Sequence, residues 1–294
     1  MPKPNATARC SSGWGYNRPD PMRDDFARAA ASYDAAAVIA GEVGRRMAER
    51  LDYVKIEPCC MADIGCATGD GIRALVKRYP KALPLAIDFA RPMLAEVSRT
   101  TPWLSHLVRR GPRPVNADVG KLPIKAGTLG LVWSNLMLHW LDDPAPAFTE
   151  LHRALATEGL FTFSMLGPDT LKELRLACRV CNIEPPLRRF LDMHDVGDAL
   201  VHAGFADPVM DMEMITLTYA SPRGLLRDQR HLGVRDGLFG HLSWREWRRV
   251  FDAWETHRSE GRLPASFEIV YGHAWKPEPK KIADGRAVIR FEKR

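Results

Sequence analysis

The residues with the clearest chemical potential form a glycine-rich turn, DIGCATG, at residues 63–69. A short apolar run at 59–64 leads into this turn, and the segment IRALVKRYP that follows has helical spacing. Glycines permit tight turning and close approach of the backbone to a ligand, and the N–H groups at the start of a helix favour anions. The turn alone also fits a simple helix cap, so its function depends on what lies beside it.

Acidic residues at the ends of the following strands complete a candidate nucleotide site. Asp88 ends a predicted strand about 20 residues after Gly65, a spacing at which a carboxylate accepts hydrogen bonds from both ribose hydroxyls. Asp118 ends the next strand, where it could accept a hydrogen bond from an adenine amino group. Either acid could instead be a helix N-cap, and Asp88 suits NAD as well as other adenosyl cofactors. Because parallel strands end at one edge of their sheet, Asp63, Asp88 and Asp118 together favour a nucleotide-like ligand.

These groups can meet only if strands and helices alternate. Apolar runs predict strands at 59–64, 83–88, 114–118, 129–134 and 159–165, with helices at 72–80, 92–98 and 144–155 between them. This alternation favours an α/β fold with a parallel sheet and helices on both faces. The Ala-rich segment 24–51 predicts two N-terminal helices, broken near Tyr33 and Asp34.

The chain divides into four predicted regions. Residues 1–22 are a flexible tail, 23–166 the ligand-binding core, 167–276 a cap and substrate region that completes the fold, and 277–294 a second tail. Within the cap region, strands are predicted at 214–219 and 267–275 and helices at 169–181, 193–203 and 244–258. The segment 167–270 is too irregular to extend the sheet cleanly, so we expect it to cover the strand ends.

Composition narrows the class of protein. The chain is 46% hydrophobic and 27% charged, which is typical of a globular protein. Its net charge of +6 fits an acidic partner, such as a carrier protein, nucleic acid or membrane surface, or simply a solvated basic surface. Cys178 and Cys181 have no second pair at zinc spacing, so no metal site is predicted and free thiols are the simple interpretation. We find no signal peptide or membrane-length apolar run, and expect a cytoplasmic protein.

The glycine turn and its acids resemble those of class I S-adenosylmethionine (SAM)-dependent methyltransferases, whose motif is D/E-x-G-x-G-x-G. Ala67 replaces the middle glycine, Asp88 and the following M-L match the ribose segment, and NADV followed by LP matches the adenine segment. The resemblance covers about residues 26–166 and implies a Rossmann-like sheet with N-terminal helices and a C-terminal cap region. It implies SAM as cofactor. The implied cofactor-binding residues are Asp63, Gly65, Cys66, Ala67, Gly69, Asp88, Phe89, Met93, Asp118, Val119 and Asn135.

A closer resemblance covers most of residues 26–276. The segments FARAAASYDAAA, SNLMLHWLDD, FSMLGPDTLKELR and FEIVYGHAW are similar to the malonyl-[acyl-carrier protein] O-methyltransferases of biotin synthesis. That family methylates the free carboxylate of a malonyl thioester, which implies an acidic carrier protein as partner and no nucleic acid. The same segments are also similar to mitochondrial complex I assembly factors, methyltransferase-like proteins associated with arginine hydroxylation of a partner subunit. A non-catalytic SAM-binding protein and an NAD(P)-dependent dehydrogenase remain further alternatives.

Methylation of a carboxylate requires positioning rather than a general base, because the nucleophile is already an anion at neutral pH. A bidentate arginine suits this substrate, and Arg175, after the fifth strand, is our candidate. Tyr33 could close the site from the N-terminal helices, His139 could hydrogen-bond the substrate, and Trp140 could wall the pocket. Alternatively, Arg175 could be a surface residue that pairs with an acid, Tyr33 could serve only in packing, and His139 could be structural.

Two basic segments are candidates for a partner surface. Residues 244–249 (WREWRR) combine three arginines with two tryptophans, and residues 187–190 (LRRF) form a second basic spot. An acidic carrier protein could dock on either. The alternative is an amphipathic helix that packs its tryptophans and solvates its arginines.

Overall fold

The computed structural model describes residues 21–102 and 111–278. In these ranges the chain forms one mixed sheet of seven strands in the order β3-β2-β1-β4-β5-β7-β6. The strands are β1 (Cys60–Ile64), β2 (Leu83–Asp88), β3 (Arg113–Asn116), β4 (Leu129–Asn135), β5 (Leu155–Leu166), β6 (Ala206–Tyr219) and β7 (Leu263–Trp275). The first five pair in parallel, and β7 is antiparallel to both β5 and β6. Strand order reverses between β1 and β4, which is where a doubly wound sheet opens a ligand crevice.

Helices cover both faces of the sheet, as the alternating pattern predicts. In chain order they are α1 (Pro21–Ala29), α2 (Tyr33–Ala36), α3 (Val38–Arg50), α4 (Asp70–Arg78), α5 (Arg91–Thr100), α6 (Ala145–Ala154), α7 (Lys172–Val180), α8 (Met193–His202), α9 (Pro222–His231), α10 (Arg235–Leu238) and α11 (Trp244–Glu255). One apolar cluster joins α3, α4 and the cap to the sheet around Trp133. A second cluster, around Phe148 and Phe161, packs α6 and α8 on the sheet. These two clusters hold the helices against both faces of the sheet. The ends of β1, β2 and β4, where the site lies, are held in place between them.

The N-terminal segment is divided more finely than predicted. The break near Tyr33 and Asp34 is present, but it separates α1 from α2, and a second break at Ala37 precedes α3. Helix α1 begins at Pro21, inside the region predicted as a tail. The other residues of that tail, and the second tail beyond 278, lie outside the described residues.

The expectation that 167–270 does not extend the sheet is wrong. Strands β6 and β7 lie within or across this segment and complete the sheet, with β7 inserted between β5 and β6. Strand β6 alternates half-buried and exposed side chains, because it is an edge strand whose faces are only partly covered. Its sequence, with its Asp and Met residues, therefore lacks the continuous apolar run that is typical of the buried strands.

A cap does exist, built from the insertions between these strands. One insertion follows β5 and contains α7 and the loop 181–192; the other follows β6 and contains α9, α10 and α11. Because β5 and β6 run in the same direction, both insertions begin at the edge where β1 and β2 also end. They pack together, because the N–H of Arg188 donates to the carbonyl of Leu238 at 2.9 Å and Arg249 donates to the carbonyl of Cys181. Among the described helices, none has the length and apolar character needed to cross a membrane.

Candidate functional site

The glycine turn leaves β1 in a strained, tightly held conformation. Gly65, Ala67 and Gly69 all have positive φ, at 71°, 44° and 94°. The N–H groups of Gly65 and Cys66 both donate to the carbonyl of Ile87, which fixes the turn to the end of β2. A Cβ on Gly65 would lie 2.3 Å from Met137 Cγ, so this position requires glycine. The turn thus carries its backbone close against the crevice, as predicted.

Asp88 is the acid most directly prepared for a ligand. Its Oδ2 accepts the N–H of Ala67 at 3.0 Å and its Oδ1 accepts the N–H of Ala90 at 2.8 Å. Burial raises the pKa of Asp88 to about 6, although these backbone hydrogen bonds act in the opposite direction. Each carboxylate oxygen can accept a second hydrogen bond, so the group remains able to bind a pair of ribose hydroxyls.

Asp63 lies beneath the turn and is only 2% exposed. Burial raises its pKa to about 7, and a backbone hydrogen bond from Ile72 partly offsets this. A Cβ on Gly71 would lie 2.5 Å from Asp63 Oδ2 and 2.8 Å from Trp133 Nε1, so α4 begins in close contact with both side chains. The Trp133 indole N–H has no hydrogen-bond partner among the described residues. Asp63 therefore supports the turn from below.

The third acid lies slightly beyond the strand that was predicted to end with it. Strand β3 ends at Asn116, and Asp118 Oδ1 accepts the N–H of Gly120 at 2.7 Å in the turn that follows. Sequence reasoning placed Asn116 in the adenine segment but assigned it no role of its own. Its amide donates to the carbonyls of Asp88 and Phe89, both at 2.9 Å, and so joins the ends of β2 and β3. A polar side chain at the last position of a strand was the available signal.

Helices α1 and α2 form a lid, residues 21–36, over the turn. Tyr33 packs in a small cluster that also contains Phe89 and the buried Met93. Burial, reinforced by the nearby charge of Asp88, raises the pKa of the Tyr33 phenol, which therefore stays protonated at neutral pH. The buried Thr68 hydroxyl donates to Asp34 Oδ1 at 2.5 Å. Thr68 and Asp34 were not predicted as site residues, yet they tie the lid to the glycine turn.

His139 and Trp140 follow β4 and form one wall of the crevice. The His139 and Trp140 ring centroids are 4.6 Å apart, and Phe26 of the lid lies 6.3 Å from Trp140. His139 Nδ1 accepts the N–H of Leu166 at 3.3 Å. Burial, with a smaller contribution from Arg188, lowers the pKa of His139 to about 3, so the imidazole is neutral at physiological pH.

Arg188 holds this wall in place. Its guanidinium donates to the carbonyls of His139 and Trp140 at 3.1 and 2.9 Å and pairs with Asp142 at 2.7 Å. Leu187 and Phe190 beside it are buried. Arg188 is therefore an internal brace and does not fit a basic docking spot, whereas Arg189 is exposed and pairs with Glu184 at 3.3 Å, so the docking hypothesis stays a prediction for Arg189 alone.

Arg175 lies half-buried within the first cap insertion, where it joins α7 to the loop 181–192. It donates to the carbonyls of Thr170 at 3.1 Å and Arg188 at 2.9 Å. Burial lowers its pKa, and no carboxylate lies within ion-pair distance of it in the described ranges. Asp169 acts on its charge only from beyond ion-pair distance, while part of the hydrogen-bonding capacity of Arg175 holds the first cap insertion together.

The side-chain amide of Asn135, at the end of β4, already makes hydrogen bonds within the protein. Its Nδ2 donates to the carbonyl of Ala40 in α3 at 2.8 Å, and its Oδ1 accepts the hydroxyl of Ser164 at 2.8 Å. These bonds link α3, β4 and β5 at the edge of the crevice. Of the remaining candidates, Cys66 within the turn and Val119 beyond β3 are buried, and burial raises the pKa of the Cys66 thiol.

The residues present fit an adenosyl cofactor. A buried carboxylate with free acceptor capacity, Asp88, lies beside the half-buried Phe89 ring and a turn whose backbone is exposed to the crevice. A ribose that donates two hydroxyls would relieve the cost of burying that carboxylate. The contact of each predicted residue with SAM stays a prediction.

Comparison with known proteins supports this interpretation. A family model described as a methyltransferase domain matches residues 62–163. The structure of Haemonchus contortus phosphoethanolamine N-methyltransferase 2 in complex with S-adenosyl-L-methionine is 15% identical, with a TM-score of 0.55, and the match covers 89% of this chain and 61% of that chain. At this identity the likeness concerns the fold.

Curated relatives match over nearly their full length. The malonyl-[acyl-carrier protein] O-methyltransferase of Gallionella capsiferriformans is 48% identical over 278 residues, which cover 92% of this chain and 94% of the relative. The protein of the same name from Laribacter hongkongensis is 43% identical over 286 residues, with 94% and 96% covered. Both the core and the cap are included in these matches. The chain therefore belongs to the family of malonyl-[acyl-carrier protein] O-methyltransferases and is a SAM-dependent methyltransferase of the class I fold.

Proposed function

We propose that this chain transfers the methyl group of SAM to the free carboxylate of a malonyl thioester carried by an acidic acyl carrier protein. The observation that carries this proposal is that the likeness to the malonyl-specific relatives extends through the cap. The cap supplies the residues that surround the acceptor, so it is the region in which methyltransferases of different specificity are expected to differ.

The titratable groups of the crevice agree with a substrate that needs no base. His139 is buried, neutral and already accepts a backbone N–H through Nδ1, and the Tyr33 phenol is held in its protonated form. Neither group is arranged to remove a proton. A malonyl carboxylate is ionised at neutral pH and can act as the nucleophile directly.

The chain's own contribution is therefore positioning and exclusion of water. Bound SAM supplies an electrophilic methyl group on a sulfonium centre. Asp88 would hold the ribose, and the lid, with Tyr33 on its inner side, would close over the cofactor. Arg175, whose charge has no carboxylate partner among the described residues, would hold the acceptor carboxylate, and Trp140 would exclude water beside it. Correct alignment of this kind can supply most of the rate acceleration.

A methyl-transfer assay tests the proposal. With radiolabelled SAM, malonyl-carrier protein should acquire a base-labile methyl ester, whereas acetyl-carrier protein, which lacks the free carboxylate, should acquire none. Equal labelling of both substrates would contradict the proposal. SAM binding without label transfer to the malonyl form would favour the assembly-factor alternative instead.

Arg175→Ala tests the proposed carboxylate contact. We expect the KM for malonyl-carrier protein to rise by about tenfold or more, because a charged hydrogen bond to the substrate is lost. The dissociation constant of SAM should stay within about twofold. Arg179→Ala, an exposed arginine on the same helix, is the matched control. Equal weakening of SAM and substrate binding would show that Arg175 only holds the cap together.

The partner and location complete the proposal. An acidic carrier protein fits the net charge of +6. We propose a cytoplasmic location, where a carrier-bound substrate of this kind would be found. The expectation of no nucleic-acid partner stays a prediction.

A further inference from the structure

Helix α9 carries a row of arginines on its outer face. Arg223, Arg227 and Arg230 follow one another at spacings of four and three residues, which places them on one side of the helix. All three are exposed. The opposite side of α9 is buried and consists of Pro222, Leu225 and Gln229. We call the three arginines the arginine stripe.

The charges of the stripe are only weakly compensated by nearby acids, since Asp236 acts on Arg230 from beyond ion-pair distance. In the part of the chain that is described, Arg223 and Arg230 have no carboxylate within ion-pair distance, and Arg227 reaches Asp228 only at 4.0 Å. Like charges at these spacings destabilise a helix. Arg223 also lies in the first turn, where the helix dipole disfavours a cation. The dipole favours Arg230 in the last turn, so helix stability accounts for only part of the stripe, whereas an anionic partner would favour all three arginines.

The position of α9 relates the stripe to the active site. The helix starts just beyond the end of β6 and contacts α2 of the lid. The Ser32 hydroxyl donates to the carbonyl of His231 at 3.1 Å, and a Cβ on Gly233 would lie 2.8 Å from the carbonyl oxygen of Asp25. The stripe thus borders the lid that covers the glycine turn and Asp88.

The basic segment singled out by sequence is less suited to an acidic partner. Helix α11 carries as many acidic as basic side chains, with Glu246, Asp252 and Glu255 balancing its arginines. Arg249 donates to the carbonyl of Cys181 and helps to join the cap insertions. Helix α9 has one acid, Asp228, which hydrogen-bonds Tyr219 and reaches the stripe only at Arg227, at 4.0 Å. The excess of positive charge at the border of the lid lies on α9.

We propose that the arginine stripe of α9 is the docking surface for the acidic carrier protein, which would deliver its acyl arm past the edge of the lid into the crevice. This inference rests on the proposed function. Charge complementarity at an exposed rim mainly accelerates encounter and is weakened by salt. The stripe should therefore affect reaction with the carrier-bound substrate and not with a small malonyl thioester.

A charge-reversal variant tests the stripe. For R223E/R230E we expect the KM for malonyl-carrier protein to rise by about tenfold, while the kcat/KM for malonyl-pantetheine stays within about twofold. K77E/K81E is the matched control, since it makes the same charge change at two exposed lysines beyond the opposite edge of the sheet. It should leave both substrates unaffected.

Several outcomes would overturn the inference. These are an unchanged KM for the carrier-bound substrate in R223E/R230E, an equal loss with both substrates, and an equal effect of K77E/K81E. Binding of labelled holo-carrier protein, followed by fluorescence anisotropy, separates docking from turnover. Wild-type protein that binds the carrier through the stripe but methylates neither malonyl substrate would support the docking surface and contradict the proposed function.

Discussion

At the scale of single residues, burying the acid of the glycine turn lowers the free energy of unfolding by an amount that depends on pH. Asp63 has a pKa of about 7 in the folded protein, against about 4 when unfolded. Between these values the folded state binds more protons, so the free energy of unfolding falls as pH rises towards 7 and changes little above it. The buried carboxylate is thus best tolerated when protonated.

Asp63→Asn should reduce this pH dependence, because Asn cannot ionise. Between pH 5 and pH 8, wild-type protein should lose about 2 to 3 kcal/mol more stability than the variant. Urea unfolding at the two pH values measures the difference, with the exposed Asp252→Asn as control. If wild type and Asp63→Asn lose the same amount, Asp63 is already ionised without penalty.

How much of the site can be predicted also depends on individual residues. Gly65 and Asp88 are recognisable because their types are required by a tight turn and by a ribose, wherever the rest of the chain lies. The positioning roles of Arg188, Thr68 and Asn116 were not predicted, because these residues act on the site through backbone carbonyls or another side chain. Such partners are separated widely in sequence and are defined only once the chain has folded.

At the scale of elements, one half-buried hydrogen bond ties the lid directly to the glycine turn. Asp34→Asn would replace the charged acceptor of the Thr68 hydroxyl with a neutral one. We expect the dissociation constant of SAM to rise about fivefold, because the lid would be held less firmly over the cofactor. Calorimetric titration measures this, and Asp24→Asn removes a carboxylate from α1 as the control. Equal affinities in the two variants would mean that the contact does not hold the lid closed.

Strand β7 also depends on one position. Gly272 lies opposite Phe163 on β5, and a Cβ there would approach Phe163 Cζ to 2.3 Å. Gly272→Ala should therefore destabilise the protein by about 1 to 3 kcal/mol through overpacking. Gly41→Ala in α3, where nothing lies within 4 Å of the added Cβ, should instead stabilise it by about 0.5 to 1 kcal/mol. Opposite signs in urea unfolding would support this reasoning, and a tolerated Gly272→Ala would contradict it.

The sequence predicted helices and strands correctly where one or both of their faces are buried, and it missed elements at the edge of the sheet and in the cap. β2 was predicted with the bounds it has, since it is a compact, mostly buried run. The first half of β6 was missed because an edge strand with Asp and Pro resembles a loop. Helix α9 was missed because it begins with Pro-Arg-Gly and buries only three side chains.

At the scale of the whole molecule, the site is a property of the sheet rather than of any one element. The turn after β1, the acid after β2 and the wall after β4 meet only because three parallel strands end together. Pocket residues from the lid and from both cap insertions then close over that edge. Cofactor binding should therefore stabilise the fold as a unit.

A thermal-shift comparison tests this expectation. SAM at about 100 times its dissociation constant should stabilise the protein by about 2.7 kcal/mol, seen as one cooperative transition at higher temperature. NAD at the same concentration should produce no shift. Asp88→Asn should lose most of the response to SAM while unfolding normally without it. A shift with NAD equal to that with SAM would contradict the assignment of the cofactor.

The place of β7 in the sheet has a consequence for biosynthesis. The strand is made last of the seven, yet it lies between β5 and β6 and pairs with both. While residues 263–275 are still inside the ribosome, β6 has no neighbour in the sheet and β5 has an open edge. A nascent chain stalled before that point would thus expose two unpaired strand edges at once, so we expect chaperones to protect this chain until residues 263–275 have emerged.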